Sequence, residues 1–157
     1  ISTYDIDVLI NNAGFGINKA FSASDINAEQ QMFDVLVRTP MRLMHVALPL
    51  MKQRNKGVII NVSSVAGYRG LPAAGAYCSS KSALSSFAES LYFDMTRKNV
   101  KVKLISPGFI KTPMTDQNDF PMPMIKSPEF AANEIFKGLT TKKSFEIHFP
   151  KVFTYFL

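Results

Sequence analysis

Val58-Ile59-Ile60-Asn61-Val62 is followed at once by Ser63-Ser64-Val65-Ala66-Gly67. Four of the first five residues are β-branched, which stiffens χ1 and favours a strand. Apart from Asn61 the run is apolar instead of alternating. That is the mark of a strand covered on both faces, as in a parallel sheet flanked by helices. The serines end it, and Ser63 to Gly75, with Gly67, Gly70 and Pro72, reads as a loop.

Working outward, the same alternation of strand and helix recurs. Upstream, Val8-Leu9-Ile10 is a short apolar run that stops at the turn Asn11-Asn12-Ala13-Gly14. Residues 27 to 51 carry Met32, Val35, Leu36, Leu43, Val46 and Leu50 at helical spacing. Pro40 and Pro49 fall inside this stretch and predict a kink or break, because each lacks a backbone donor. Met41, Met44 and Met51 read as packing residues. Asn55-Lys56-Gly57 predicts a turn. Downstream, a helix is expected from Ala76 to Lys98, a strand over Val100 to Ile105, and a stop at Pro107-Gly108. Residues 111 to 126 hold three prolines and read as a mobile loop. Ser127-Pro128 predicts a helix start, with Ser as N-cap and Pro in the first turn. Phe145 to Phe149 alternates as a last strand. The pattern predicts an α/β chain whose parallel strands are joined by right-handed crossovers. It corresponds to half or more of a doubly wound α/β fold, a single partial domain over residues 1–157.

Composition narrows the class. The chain has 157 residues, enough for one core. No apolar run is long enough to span a bilayer. Ile1 to Asp5 has no signal-peptide features. The single cysteine, Cys78, cannot make an internal disulfide, so a cytoplasmic setting is expected. Cys78 itself reads as a small helix filler. The net charge of +6 suits an anionic nucleotide cofactor. The basic groups are dispersed as Lys52, Arg54 and Lys56, then Arg97, Lys98, Lys101 and Lys103, then Lys142 and Lys143. None is interleaved with aromatics, so no nucleic-acid partner is expected. His45 lies mid-helix without partners that would make a metal site, His148 alternates outward on a terminal strand, and no metal is expected.

Ligands of such folds bind beyond the carboxyl ends of the strands. Four polar or Gly-rich segments fall there: Asn11 to Gly14, Ser63-Ser64, the helix start at Tyr77, and Pro107 to Thr112. Tyr77 and Lys81 are four apart and share a helix face. A tyrosine titrates near ~10, and a nearby cation favours its phenolate, which would fit it for proton transfer. Ser64 could hold a substrate oxygen beside it.

These motifs in this order, Asn11-Asn12-Ala13-Gly14, Ser63-Ser64-Val65-Ala66-Gly67, Tyr77-Cys78-Ser79-Ser80-Lys81 and Pro107-Gly108-Phe109-Ile110-Lys111-Thr112, resemble the short-chain dehydrogenase/reductase family from about Asp5 to Phe149. The resemblance implies an oxidoreductase moving a hydride between NAD or NADP and a small carbonyl or alcohol substrate. Tyr77 would be the catalytic acid/base. Lys81 would lower its pKa and hold the nicotinamide ribose. Ser64 would polarise the carbonyl. Asn11, Ala13 and Gly14 would line the adenosine side, and Pro107, Gly108, Ile110 and Thr112 the nicotinamide end. Residues 113 to 126 would form a substrate lid. A homo-oligomer through the helices at 27–54 and 76–98 is also implied.

Two departures stand out. The family's T-G-x-x-x-G-x-G phosphate loop is absent, so upstream units of on the order of 70 to 80 residues are expected to be missing. Tyr155-Phe156-Leu157 suggests truncation at the other end. Leu36 stands where the family places a catalytic asparagine, and a leucine cannot hold a relay water. The alternative is therefore a truncated or degenerate remnant without redox activity, serving at most as a dimerisation or binding module. This chain alone is expected not to bind NADPH.

Overall fold

A computed structural model describes residues 6–141 and 144–154. Ile1 to Asp5, the Lys142-Lys143 pair and Tyr155 to Leu157 lie outside the described residues. Four strands, β1 (Val8–Asn11), β2 (Gly57–Val62), β3 (Val100–Pro107) and β4 (Glu146–Phe149), form one sheet in the order β1-β2-β3-β4. Every pair is parallel, with Ile59 opposite Leu9 and Val102, and Ile105 opposite Ile147. The helices are α1 (Ile26–Phe33), α2 (Thr39–Gln53), α3 (Gly75–Met95), α4 (Pro128–Thr141) and the short α5 (Lys151–Thr154). None is long and apolar enough to cross a membrane.

The expected long helix at 27–51 is three pieces. Asp25 caps α1, its carboxylate accepting from the Asn27 amide at 3.0 Å. A π-helical turn, Asp34–Arg38, then joins α1 to α2. The wider turn adds a residue, so the adjacent Leu36 and Val37 are both buried. Pro40 causes no break because it falls in the first turn of α2, where no donor is required. Pro49 lies inside α2 on an exposed position and is absorbed there. Met44 and Met51 are buried, whereas Met41 is exposed, contrary to the packing role expected for it. The helix expected at 76–98 ends earlier, at Met95. Asn55 adopts a left-handed φ of 53° at the predicted turn, a conformation Asn tolerates.

Alternation along the strands divides the core. One face carries Leu9, Ile59 and Val102 and meets Met44, Met51, Leu84 and Leu91 of α2 and α3. The other carries Ile60, Ile105, Ile147 and Phe149 and meets Ala131, Ile135 and Leu139 of α4. Contacts are close on both faces. A Cβ on Gly57 would lie 2.5 Å from Met51 Cγ, and one on Gly138 would lie 2.6 Å from Ile147 Cδ1. The N-cap of α4 is Ser127, whose hydroxyl accepts from the Phe130 amide at 3.2 Å.

This layering corrects the expectation of uniformly right-handed crossovers. The strands step in one direction across the sheet, yet α2 and α3 lie on one face and α4 on the other. Three crossovers of one hand would place all three helices on the same face. The β3–α4–β4 connection therefore has the opposite hand to the two before it. The long segment 108–127 makes this possible, because it carries the chain over the carboxyl edge of the sheet before α4 begins.

At the other side, β1 pairs only with β2 among the described residues. Val8 and Ile10 face the α4 side but lie beyond its reach, 48% and 58% exposed. Among the described residues β1 is thus an exposed apolar edge strand.

Candidate active site

The carboxyl end of β2 and the first turns of α3 build the centre. The Ser63 amide continues the ladder by donating to Ile105 O at 2.8 Å. Ser64 is extended, and its hydroxyl accepts from the Ala66 amide at 3.1 Å, capping the 3-10 turn Val65–Gly67. The same hydroxyl lies 3.5 Å from Pro107 O. Helix α3 then brings Tyr77 and Lys81 to one face. The Lys81 Nζ lies 5.7 Å from the Tyr77 ring centroid, a cation–π arrangement, and donates to Val62 O at 2.9 Å.

Burial dominates the electrostatics here. Burial raises the Tyr77 phenol above its ordinary value, and a hydrogen bond with the Ser64 side chain opposes that rise. Burial lowers the Lys81 ammonium to about 8. An ammonium has three donors, and Val62 takes one. The arrangement thus offers a phenol, a hydroxyl and a partly free cation around one point. That donor set fits the hydroxyl-rich ribose end of a nucleotide cofactor beside a carbonyl oxygen.

The other expected site residues are placed as follows. Asn11 is buried and its Nδ2 donates to Asn61 Oδ1 at 2.8 Å between β1 and β2, while its own Oδ1 is buried without a hydrogen-bond partner. Asn61, fully buried, is this pair's second member and carried no sequence signal beyond interrupting an apolar run. Ala13 and Gly14 are exposed on the loop. A Cβ on Gly14 would lie 2.6 Å from Leu36 Cδ2, so the turn packs directly on the residue that replaces the expected asparagine. Phe15, Ile17 and Tyr77 pack against the same Met32, Leu36, Val37 cluster.

Pro107 ends β3, Gly108, Ile110 and Thr112 follow it, and all four are half-buried. The Gly108 amide donates to Phe149 O at 2.8 Å. Ile110 bridges Lys126, which closes residues 111–125 into a loop tied at its base. Thr115, which sequence reading passed over, knots this base. It donates to Ile110 O at 2.6 Å and accepts from the Thr112 amide at 2.8 Å. A Thr-x-x-Thr spacing was the available signal. The loop is also joined to the segment after β1, with Asn18 Nδ2 donating to Asn118 Oδ1 at 2.6 Å. Cys78 is buried on α3, and among the described residues no cluster of metal-ligating side chains occurs.

Parallel strands, helices on both faces and a Ser–Tyr–Lys group at the strands' carboxyl ends define a Rossmann-like α/β protein of the dehydrogenase type. Comparison with known proteins makes this specific. The chain belongs to the short chain dehydrogenase family, whose model matches residues 2–121. An uncharacterized oxidoreductase of Myxococcus xanthus is 34% identical over 145 residues, covering 92% of this chain and 57% of that protein. The ketoacyl reductase HetN of Nostoc is 31% identical over 141 residues, covering 87% and 49%. Among solved structures, a short chain dehydrogenase from Burkholderia cenocepacia in complex with NADP superimposes with a TM-score of 0.81 at 29% identity, covering 92% of this chain and 61% of that one. The chain thus spans about half the length of the curated relatives it matches.

Proposed function

We propose that this chain is the catalytic part of an NAD- or NADP-dependent oxidoreductase acting on a small carbonyl or alcohol. The carrying observation is the convergence of Ser64 on Tyr77 with Lys81 over the same ring. The relationship to an oxidoreductase and a ketoacyl reductase, and the NADP bound in the Burkholderia structure, support the reading. When bound, the nicotinamide cofactor supplies the hydride or takes it up.

The protein's residues handle the oxygen and the proton. Ser64 donates to the substrate oxygen and orients the carbonyl. Tyr77 gives the proton to that oxygen in reduction and removes it in oxidation. Lys81 holds the ribose hydroxyls with its spare donors and stabilises the phenolate as it forms. Ala13 and Gly14 line the adenosine side, with Asn11 bracing them from beneath. Gly108, Ile110 and Thr112 hold the nicotinamide end against Pro107, and the loop at 113–126 closes on the substrate. Loss of a general acid/base costs about 10²–10⁴-fold in rate. Consumption of NADPH and NADH with a panel of ketones and aldehydes tests this. Tyr77→Phe abolishes turnover, whereas Ser64→Ala and Lys81→Ala lower it. Turnover unchanged in Tyr77→Phe overturns the proposal.

One observation favours a second reading, a binding or dimerisation module without redox chemistry. Leu36 fills the asparagine position and is 1% exposed, packed on Gly14. No saturable NADPH or NADH binding, with folding intact, supports that reading. For the assembly, Met41 and Val46 of α2 and Phe93 of α3 are exposed apolar residues, and we place a homo-oligomer contact there. Sedimentation of Phe93→Glu against wild type tests it, and unchanged association overturns it. A cytoplasmic location rests on the single, buried Cys78.

A further inference from the structure

The end of β2 engages α3 with three consecutive residues, and each takes a different part of the helix. Val62 O accepts the Lys81 ammonium at 2.9 Å. Ser64 meets Tyr77. Between them Ser63, buried and outside the acid/base group, points under the helix. Its hydroxyl donates to the Lys81 backbone carbonyl at 3.0 Å and lies 2.8 Å from the Ser85 hydroxyl. Ser85 in turn donates to the same Lys81 carbonyl at 2.8 Å. Two hydroxyls and one carbonyl therefore form a triangle beneath the helix, and the two hydroxyl protons make two of its three sides hydrogen bonds at any moment.

The peptide group after Lys81 is held from a second side. A Cβ on Gly67 would lie 3.0 Å from the Lys81 carbonyl carbon, so the loop lies directly on the helix backbone there. The Ser82 hydroxyl donates to Gly67 O at 2.9 Å. Elsewhere α3 meets the sheet through Leu84, Leu91 and Met95, whose apolar contacts are non-directional and do not by themselves fix a helix along its axis. Hydrogen bonds are directional and weaken steeply with misalignment. Polar contacts concentrated at one peptide make that peptide the fixed point of the helix, one turn from Tyr77.

We propose that Ser63, acting with Ser85, is a positioning residue that sets the axial placement of α3 and so holds Tyr77 and Lys81 in register with Ser64. It rests on the oxidoreductase reading of that site, which it deepens. Ser63 touches no reacting atom. Without it the helix turn is free to shift, and water gains access to the Lys81 head.

The test reads the titration of Lys81 directly, by carbon NMR of protein labelled at lysine Cε, in the intact chain. The Lys81→Met variant assigns the signal. Ser63→Ala moves the Lys81 midpoint from about 8 toward the value of a free lysine, by about one unit, which is a tenfold change in deprotonated fraction at fixed pH. Ser63→Thr, which keeps the hydroxyl, restores the wild-type midpoint. Ser85→Ala shifts it in the same direction, and the double variant shifts no further, because both belong to one triangle. Ser79→Ala, which removes only a bond from Ser79 to Gly75 O within the helix, leaves it in place. An unchanged midpoint in a folded Ser63→Ala protein overturns the proposal, as do Ser63 and Ser85 shifts that simply add. Should Ser63→Ala not fold, Ser85→Ala and Ser63→Thr carry the same comparison. In parallel, kcat of Ser63→Ala falls about tenfold with KM little changed, as expected for misplaced catalytic groups. Wild-type protein that turns over no substrate sinks the oxidoreductase reading while leaving the Lys81 titration to judge the clamp.

Discussion

Replacing Lys81 by Met exposes how the chain's stability depends on pH. The Lys81 side chain is 5% exposed and its ammonium is drawn down from 10.5 to about 8 by burial. The folded state therefore disfavours the cation that the unfolded chain carries freely. Below about pH 8 the full penalty applies, and a shift of that size corresponds to about 3 kcal/mol. As pH rises through the folded value toward the unfolded one, the folded protein has already released its proton and the unfolded chain has not. The unfolded state then binds more protons, so stability rises with pH in this window. For a single site the gain between about pH 7 and about pH 9.5 is about 2 kcal/mol. Met keeps the length of the side chain and removes the titration. Urea unfolding of wild type and Lys81→Met across this window isolates the effect, since the other titrating groups are common to both proteins. The wild type gains about 2 kcal/mol relative to the variant. A difference that stays flat, or shrinks with rising pH, refutes the assignment of a buried, desolvated ammonium.

Other outcomes follow from contacts on single residues. Gly14→Ala drives a Cβ into Leu36 Cδ2 at 2.6 Å, costing about 1–3 kcal/mol. Thermal unfolding shows the cost, and Leu36→Ala in the same chain relieves it, so the double variant loses less than the sum. Gly138→Ala meets three Ile147 carbons within 2.8 Å and lowers the melting temperature, whereas Gly70→Ala meets nothing within 4 Å and leaves it unchanged. Ser127→Ala removes the α4 N-cap and costs about 1 kcal/mol in denaturant unfolding. Val8→Lys places a charge on the exposed edge of β1, and light scattering shows slower aggregation with little change in stability.

The strands were legible because each is a compact β-branched or alternating run closed by Gly, Pro or Ser. The Tyr77–Lys81 spacing translates directly into one helix face. What escaped was set by tertiary contacts. The π turn at Asp34–Arg38 hides inside a pattern that still reads as helical, and its trace is only that Leu36 and Val37 are both apolar. Met41 shares its spacing with buried neighbours, yet no element covers it. Lys81 was expected to lower the phenol's pKa. The structure instead places its ammonium over the ring and on Val62 O, and burial outweighs other influences on Tyr77. Sequence spacing carries no information on desolvation. The Ser63–Ser85 contact was invisible for the same reason, since it links residues 22 positions apart.

The reversed hand of the last crossover gives the segment at 108–127 a duty in the fold itself. Leaving β3 on the side of α3 and entering α4 on the opposite face, the chain has to travel around the rim of the sheet. That rim is the mouth of the site. A bridging span at this place is thus an obligation of connectivity. Substitutions along it, away from the Thr115 knot at its base, leave that duty intact. Shortening it is another matter. A span too short to reach would pull α4 off the sheet and uncover Ile105, Ile147 and Phe149.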